Sequence, residues 1–314
     1  MRVLFWGTPE FAAAPLRALI GEGFDVVGVV TQPDKPQGRA RKVTAPPVKA
    51  IATEERIPCF QPPTPKDAEF VEMIELMKPD ISVVVAYGHI LPKRLIDMPR
   101  LGTLNIHASL LPLLRGAAPI QAAIRQGLAQ TGVTIMRMVS ALDAGPILLT
   151  ASVPILHDET YGELQMRLSE LGAVTLIEAL TLISVGEAKE VPQDDSLATY
   201  APKVTRDDAR VDWNLPAMEV SRAVRAYDPK PGAFTVLSGN DVKLFGAKIL
   251  GPDAPEKDLL AQPGEVVAVR GDMVVACGDG AVSIRDVQPA GKSRMRAAEW
   301  ERGRGVSVGD RLGS

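Results

Sequence analysis

The near-continuous apolar run at residues 81–86 constrains the fold more than any other feature of the chain. A strand with one wetted face alternates polar and apolar side chains, whereas a run of this kind is typical of a strand buried on both faces of a parallel sheet. Strand-like and helix-like segments alternate on either side of it. This alternation predicts an α/β fold built on a doubly wound parallel sheet.

Periodicity and turn residues predict the individual elements of this first part of the chain. Strands are predicted at residues 3–6, 25–31, 81–86, 104–107 and 133–138. Helices are predicted at residues 9–21, 48–56, 68–77, 118–126 and 160–182. Residues 32–47 are rich in proline, glycine and basic side chains, and they predict a long loop.

The pattern changes after residue 190. Residues 191–208 are polar and contain prolines and several acids, which is typical of a linker. One helix is then predicted at 217–227, followed by short strands at 233–237, 242–247, 264–270, 273–276 and 281–287. Glycine and asparagine turns separate these strands, a spacing that fits a small antiparallel β-barrel. The predicted organisation is a domain at 1–190, a linker at 191–208 and a smaller barrel domain at 209–314.

Composition limits the kind of protein. The 314 residues are enough for about two domains, and hydrophobic residues make up 46% of them. No apolar stretch approaches the roughly 18 residues that a membrane span needs, and the first residues do not resemble a signal peptide. The two cysteines, Cys59 and Cys277, lie far apart and without metal-ligand spacing. We therefore expect a cytoplasmic protein in a reducing environment, without a membrane segment.

Basic residues are concentrated in two places although the net charge is −3. Residues 33–50 hold five basic side chains against one acid, and residues 285–304 hold six against three. Two such patches are compatible with the docking of one polyanion. Charge alone leaves the alternative open that both are solvated loops.

Three polar residues form a candidate site. Asn105 and His107 are two apart at the end of a predicted strand, so their side chains share one face, and ligands of open α/β sheets bind at such strand ends. Asp143 lies in a turn after the next strand. Asn105 and a protonated His107 can stabilise the oxyanion of acyl transfer to an amine, while Asp143 raises the pKa of His107, orients it or relays a proton. Each residue alone also fits a purely structural role.

The motifs around these residues resemble the formyltransferases that use 10-formyltetrahydrofolate. The shared motifs are NIHASLLP at 105–112, RGAAPI at 115–120, TGVTIM at 131–136 and LDAG at 142–145. Further stretches resemble the members whose acceptor is methionyl-tRNA, and the similarity extends over nearly the whole chain. These stretches are GTPEF at 7–11, TQPDKP at 31–36, VVAYG at 84–88, ARVDW at 209–213 and QPAGK at 288–292.

The resemblance implies a Rossmann-like domain, a barrel of the oligonucleotide-binding type, and formyl transfer from 10-formyltetrahydrofolate to the α-amine of initiator methionyl-tRNA. It implies that Asn105, His107 and Asp143 are catalytic. The implied folate-binding residues are Ser109, Leu110, Leu111, Pro112, Tyr87, Gly88 and Ile90. Basic side chains in the loop, linker and barrel are the expected tRNA contacts, namely Arg39, Arg41, Lys42, Lys203, Lys292 and Arg294.

Two departures from the family pattern stand near these residues. The family's mobile basic loop commonly reads Gly-Arg-Gly, whereas this chain has Gly38-Arg39-Ala40, and alanine is stiffer than glycine. The family often has a basic residue and an aromatic after the proline, where this chain has Leu113 and Leu114. Contacts made by those two positions are therefore lost, while the catalytic set is retained.

Other functions are less well supported. A sugar amine or glycinamide ribonucleotide as acceptor would need neither the second domain nor the basic loop. A dinucleotide site would need the second and third glycines that are missing after Gly7. A protein that only binds RNA would leave the Asn105, His107 and Asp143 site unexplained. The chain has no phosphate-binding loop motif and no metal-ligand spacing, so we expect no metal, and we expect a monomer.

Overall fold

Residues 1–37, 42–250 and 261–313 are described by a computed structural model of the chain. The chain divides into two compact units. Unit 1 comprises Met1–Pro119, Thr131–Val153 and Gln165–Ala201, and unit 2 comprises Ile120–Gln130, Pro154–Leu164 and Pro202–Ser314.

Nine strands and six helices precede residue 190 in the described part of the chain. The strands are β1 Arg2–Gly7, β2 Asp25–Val30, β3 Lys35–Gln37, β4 Lys42–Thr44, β5 Cys59–Phe60, β6 Ile81–Val85, β7 Thr103–His107, β8 Gln130–Arg137 and β9 Ile147–Pro154. The helices are α1 Ala13–Gly21, α2 Pro47–Glu54, α3 Ala68–Met77, α4 Lys93–Asp97, α5 Pro119–Gln126 and α6 Tyr161–Val185. A short 3₁₀ helix, Glu10–Ala12, leads into α1.

Seven of these strands form one sheet in the order β5-β2-β1-β6-β7-β8-β9. Pairing is parallel from β5 to β7, which confirms the predicted Rossmann-like α/β class, and every residue of β6 is buried as its apolar run indicates. The pair β7–β8 is antiparallel, so the sheet is mixed rather than purely parallel. Apolar patterning reports burial and carries no information on strand direction, so the sequence could not reveal this reversal.

The predicted loop at 32–47 is partly wrong, because β3 and β4 pair there as a short antiparallel ribbon. Strands β5 and β9 were not predicted. One is only two residues long, and the other is apolar in sequence but only half-buried, without the alternation or the full burial that would mark it as a strand.

Both faces of the sheet in unit 1 are covered. On one face, Trp6 and Val84 pack against apolar side chains of α3 and α4. On the other face α6 passes so close to β7 that a methyl group on Gly172 would lie 3.0 Å from Ile106. By length and composition α6 is the one helix among the described residues that could cross a membrane, and 44% of its apolar window is buried inside the protein.

The remaining elements lie in unit 2. The strands are β10 Ala233–Leu237, β11 Asn240–Ile249, β12 Val266–Arg270, β13 Asp272–Ala276, β14 Ala281–Pro289 and β15 Met295–Arg296. The helices are α7 Ala217–Ala226 and α8 Ala297–Arg302, and short 3₁₀ helices occur at Asp195–Leu197, in unit 1, and at Asp207–Ala209.

The strands of unit 2 form an antiparallel sheet in the order β10-β11-β14-β13-β12, with β15 on β14. Residues close to the C-terminus connect its two edges. The N–H of Gly313 donates to the carbonyl of Val236 in β10 at 2.7 Å, and the N–H of Leu312 donates to that of Gly264, just before β12, at 2.7 Å. These bonds link the two edges of the sheet, as in the small barrel that the turn spacing predicts.

The segment predicted as a linker differs from an extended spacer. Val191 and Ile147 exchange two backbone hydrogen bonds. The N–H of Ala201 donates to the carbonyl of Arg115, and the N–H of Arg115 donates to that of Thr199. Residues 191–201 therefore belong to unit 1, and the change of unit after Ala201 falls within the predicted linker at 191–208. A polar segment with prolines is typical of a linker. Its hydrogen bonds to Ile147 and Arg115 could not be predicted, because those residues are remote in sequence.

Candidate active site

Asn105 and His107 lie in the interior strand β7, between β6 and β8. Ile106 between them faces α6 through Gly172, so the alternation of a strand directs Asn105 and His107 to the opposite face. Asn105 is partly buried, and its side-chain amide makes no hydrogen bond with another described residue. The amide is therefore available to a bound substrate.

The structure brings His107 and Asp143 together. His107 is 6% exposed, and its Nδ1 lies 3.7 Å from Oδ2 of Asp143. Its Nε2 lies 3.0 Å from the carbonyl oxygen of Leu114. A carbonyl only accepts, so Nε2 carries the hydrogen. In the neutral ring the lone pair of Nδ1 then faces the carboxylate.

Burial decides the protonation of His107. Desolvation lowers the pKa of His107 below its ordinary value, and it outweighs the charge of Asp143 and the Leu114 carbonyl, which both act to raise that pKa. A lowered pKa favours the neutral imidazole at neutral pH.

Asp143 is held in a left-handed backbone conformation, with φ of 49°. The N–H of Gly116 donates to its Oδ2 at 2.8 Å. The side-chain amide of Gln193 donates to the carbonyl oxygen of Asp143 at 2.8 Å and to that of Gly145 at 2.7 Å. Non-glycine residues adopt positive φ at a cost of about 1–3 kcal/mol, so surrounding contacts must maintain this turn.

Gln193 is in turn held by a buried arginine. Arg115 is 4% exposed, and its Nη2 donates to Oε1 of Gln193 at 2.7 Å and to Oδ1 of Asp195 at 2.7 Å. Sequence reasoning quoted Arg115 only as part of a motif and placed Gln193 in a linker. Neither Arg115 nor Gln193 stands in a hydrophobic or charge pattern that predicts a role. The sequence therefore could not show that they support Asp143.

The predicted folate residues at 109–112 form the loop that follows β7. The hydroxyl of Ser109 donates to the carbonyl of Leu113 at 2.5 Å. Thr134 holds the loop on β8, since its hydroxyl donates to the carbonyl of Ser109 at 2.7 Å and accepts from the N–H of Leu111 at 3.1 Å. The peptide between Leu111 and Pro112 is cis. Leu110 is partly exposed.

The second group of predicted folate residues follows β6, at the same edge of the sheet. Tyr87 is buried and its hydroxyl has no hydrogen-bond partner, and burial raises the pKa of that hydroxyl to about 12. Gly88 has φ of 89°, and Ile90 is 86% exposed. Among the described residues, none bonds to the N–H groups of 88–91. Such free backbone donors suit the ring oxygen and nitrogens of a pterin, so the residues present fit a folate.

The predicted tRNA contacts differ in their surroundings. Lys203 and Lys292 are exposed. Arg294 bonds to Asp286 at 2.9 Å and Asp228 at 3.2 Å, and it stacks on the ring of Phe245 at 4.1 Å. Arg39 and Arg41 lie outside the described residues, and Lys42 opens β4. No cluster of three potential metal ligands occurs among the described residues.

Comparison with known families defines the class of protein. Residues 1–180 match the family model described as formyl transferase, and residues 203–305 match the model described as formyl transferase, C-terminal domain. Together with the strand-end site, these matches define a formyl-transferring enzyme of the folate-dependent class.

Curated relatives identify the family more closely. Methionyl-tRNA formyltransferase of Pseudomonas putida (strain W619) is 46% identical, over 93% of this chain and 93% of its own. The enzyme of the same name from Methylococcus capsulatus is 46% identical over the full length of both chains. The chain belongs to the methionyl-tRNA formyltransferase family.

A solved structure supports the fold. HypX from Aquifex aeolicus, solved in complex with tetrahydrofolic acid, aligns with 95% of this chain and 46% of its own at a TM-score of 0.67 and 24% identity. At this identity the likeness shows the fold alone.

Proposed function

We propose that this enzyme transfers the formyl group of 10-formyltetrahydrofolate to the α-amino group of initiator methionyl-tRNA, for translation initiation. The observation that carries the proposal is the contact of His107 with Asp143, next to the free amide of Asn105 on β7. The names of relatives at 46% identity support formyl transfer as the reaction and methionyl-tRNA as the acceptor. We expect the enzyme to act as a monomer in the cytoplasm.

Asn105 would stabilise charge on oxygen. The cosubstrate supplies a formyl group on nitrogen, and negative charge develops on the formyl oxygen as the amine attacks. The unpaired Asn105 amide can donate to that oxygen, and a partly buried site strengthens such a bond. The amine attacks directly, so no nucleophilic side chain is needed.

His107 and Asp143 would handle the proton. A neutral imidazole with hydrogen on Nε2 has Nδ1 free to accept the proton that the attacking amine loses. The carboxylate of Asp143, 3.7 Å away, stabilises the imidazolium that forms. The same proton can then pass to the folate nitrogen as its bond to the formyl carbon breaks, which balances the transfer.

The remaining predicted residues would bind the two substrates. Residues 109–112 and 87–90 lie at the carboxyl ends of β7 and β6, and they would hold the folate. Lys203 and Lys292 in unit 2 and Arg39, Arg41 and Lys42 in the basic loop would contact phosphates of the tRNA. Arg294 is predicted to contribute least, because its charge is already compensated by two carboxylates.

A formyl-transfer assay with alternative acceptors tests the proposal. Methionyl-tRNA, free methionine and an amino sugar are compared at equal concentration with 10-formyltetrahydrofolate as donor. We expect rapid transfer to methionyl-tRNA alone. Faster transfer to the amino sugar would overturn the tRNA acceptor while leaving formyl transfer intact, and no transfer to any amine would overturn the reaction itself.

A further inference from the structure

We infer that Gln193 and Arg115 are positioning residues for Asp143, forming a hydrogen-bonded relay that holds its carboxylate against His107. The inference deepens the proposed function and rests on it. Neither residue is within the catalytic set. Both act through the backbone of the turn that carries Asp143.

The turn that carries Asp143 has an unfavourable backbone conformation. Asp143 has φ of 49°, a left-handed conformation that residues other than glycine adopt only rarely. A methyl group on Gly145 would lie 1.8 Å from the carbonyl oxygen of Arg137, so the turn is pressed against β8 on one side. The direction of the Asp143 carboxylate therefore depends on the contacts that hold this turn in place.

Gln193 provides that support. Its single amide nitrogen donates to the carbonyls of both Asp143 and Gly145, at 2.8 and 2.7 Å. An amide nitrogen carries two hydrogens, so it can make both bonds at once. The bonds bridge the turn from Asp143 to Gly145. Rotation of the Asp143 peptide would break at least one of them.

Arg115 fixes the orientation of the glutamine amide. A glutamine side chain can turn by 180° and exchange its oxygen and nitrogen. Nη2 and Nε of Arg115 both donate to Oε1 of Gln193, at 2.7 and 3.2 Å, so only the nitrogen can face the turn. The guanidinium is buried and its charge is balanced by Asp195.

The segment that contains Arg115 also donates a hydrogen bond to the Asp143 carboxylate. Gly116, next to Arg115, donates its N–H to Oδ2 of Asp143 at 2.8 Å. The backbone and the side chain of Asp143 are thus held by neighbouring residues of one segment. A shift of Arg115 would therefore change the distance between Oδ2 and Nδ1 of His107, the atoms that handle the proton.

The test uses Gln193→Ala and Gln193→Glu, with Gln126→Ala as the control. The glutamate keeps the size of the side chain and the pairing with Arg115, but it removes both N–H donors. It therefore shows whether an effect of Gln193→Ala comes from the lost hydrogen bonds or from the cavity that alanine leaves. Gln126 is an exposed glutamine of α5. We expect kcat to fall by about 10- to 100-fold in both Gln193 variants. KM for both substrates and the melting temperature should stay close to those of the wild type, as should all values for Gln126→Ala.

A second readout does not depend on turnover. The chain has three histidines, so the ring signals of His107 can be resolved and followed against pH by NMR. Because the Asp143 charge raises the pKa of His107, displacement of the carboxylate should lower that pKa in both Gln193 variants.

The outcomes separate this inference from the proposed function. Wild-type kcat and an unchanged His107 titration in Gln193→Glu would overturn the relay, and so would losses confined to KM and melting temperature. Asp143→Asn is assayed alongside. Full turnover in Asp143→Asn would instead overturn the catalytic role of Asp143, while a lowered His107 pKa in the Gln193 variants would still support its positioning.

Discussion

The N–H of Gly116 donates to the carboxylate of Asp143 at 2.8 Å, and a methyl group on Gly116 would lie 2.6 Å from the carbonyl oxygen of Ala201. The backbone at Gly116 has φ of 119°. One glycine therefore joins the turn at Asp143 to the segment at 191–201, and no other residue can occupy its position without strain.

Gly116→Ala should destabilise the enzyme by about 2–4 kcal/mol, because it combines an unfavourable φ with a backbone clash. It should also lower kcat, since relief of the clash moves the donor to Asp143. Denaturant unfolding and steady-state assays measure the two effects. Gly21→Ala is the matched control, because a methyl group there meets nothing within 4 Å in α1. Equal stability of the two variants would show that the clash relaxes at no cost.

His107→Ala and Asp143→Ala should each lower kcat by about 10²–10⁴, the range for loss of general acid–base catalysis. Folding and folate binding should be largely retained, as measured by circular dichroism and by equilibrium binding of tetrahydrofolate. Asn105→Ala should cost about 10²–10³ in kcat if its amide is the main donor to the developing charge. Wild-type rates in any of the three would contradict that residue's role.

Activity should depend on pH through neutral His107. Burial lowers its pKa, so the acidic limb of the kcat profile should lie below the ordinary histidine value of 6.5. Removing the carboxylate charge with Asp143→Asn should lower that pKa further, so the residual activity should show its acidic limb at a still lower pH. A limb that moves to higher pH in Asp143→Asn would mean that the charge of Asp143 does not reach the imidazole.

The basic residues should separate into two groups. Arg39→Ala should raise KM for methionyl-tRNA and reduce the slope of log affinity against log salt by about 1, with folate binding unchanged. A loss of folate binding instead would show that the loop serves the other substrate.

Arg294→Ala should behave differently. Its guanidinium bonds to Asp228 and Asp286 and stacks on Phe245, so its loss leaves the mostly buried Asp228 without a partner charge. We expect a lower melting temperature with the salt dependence of tRNA binding retained. A reduced salt slope at wild-type stability would assign Arg294 to the tRNA interface.

The sequence predicted the elements with strong apolar periodicity. The helix predicted at 68–77 matches α3, and the strand predicted at 104–107 matches β7 to one residue. Strand β9 and the ribbon of β3 and β4 were not predicted, since half-exposed or very short strands bury too little surface to leave a pattern.

Within the site, the sequence alone determined that Asn105 and His107 share one face of a strand, because the side-chain period of a strand is two. It also determined the formyltransferase resemblance through motifs in chain order. Only the tertiary structure decided that His107 is buried, with its pKa lowered by desolvation, that β8 runs against β7, and that Gln193 and Arg115 hold the turn at Asp143. These features depend on desolvation and on hydrogen bonds between residues about 50 to 80 positions apart, such as Gln193 with Asp143 and with Arg115, and no local pattern records them.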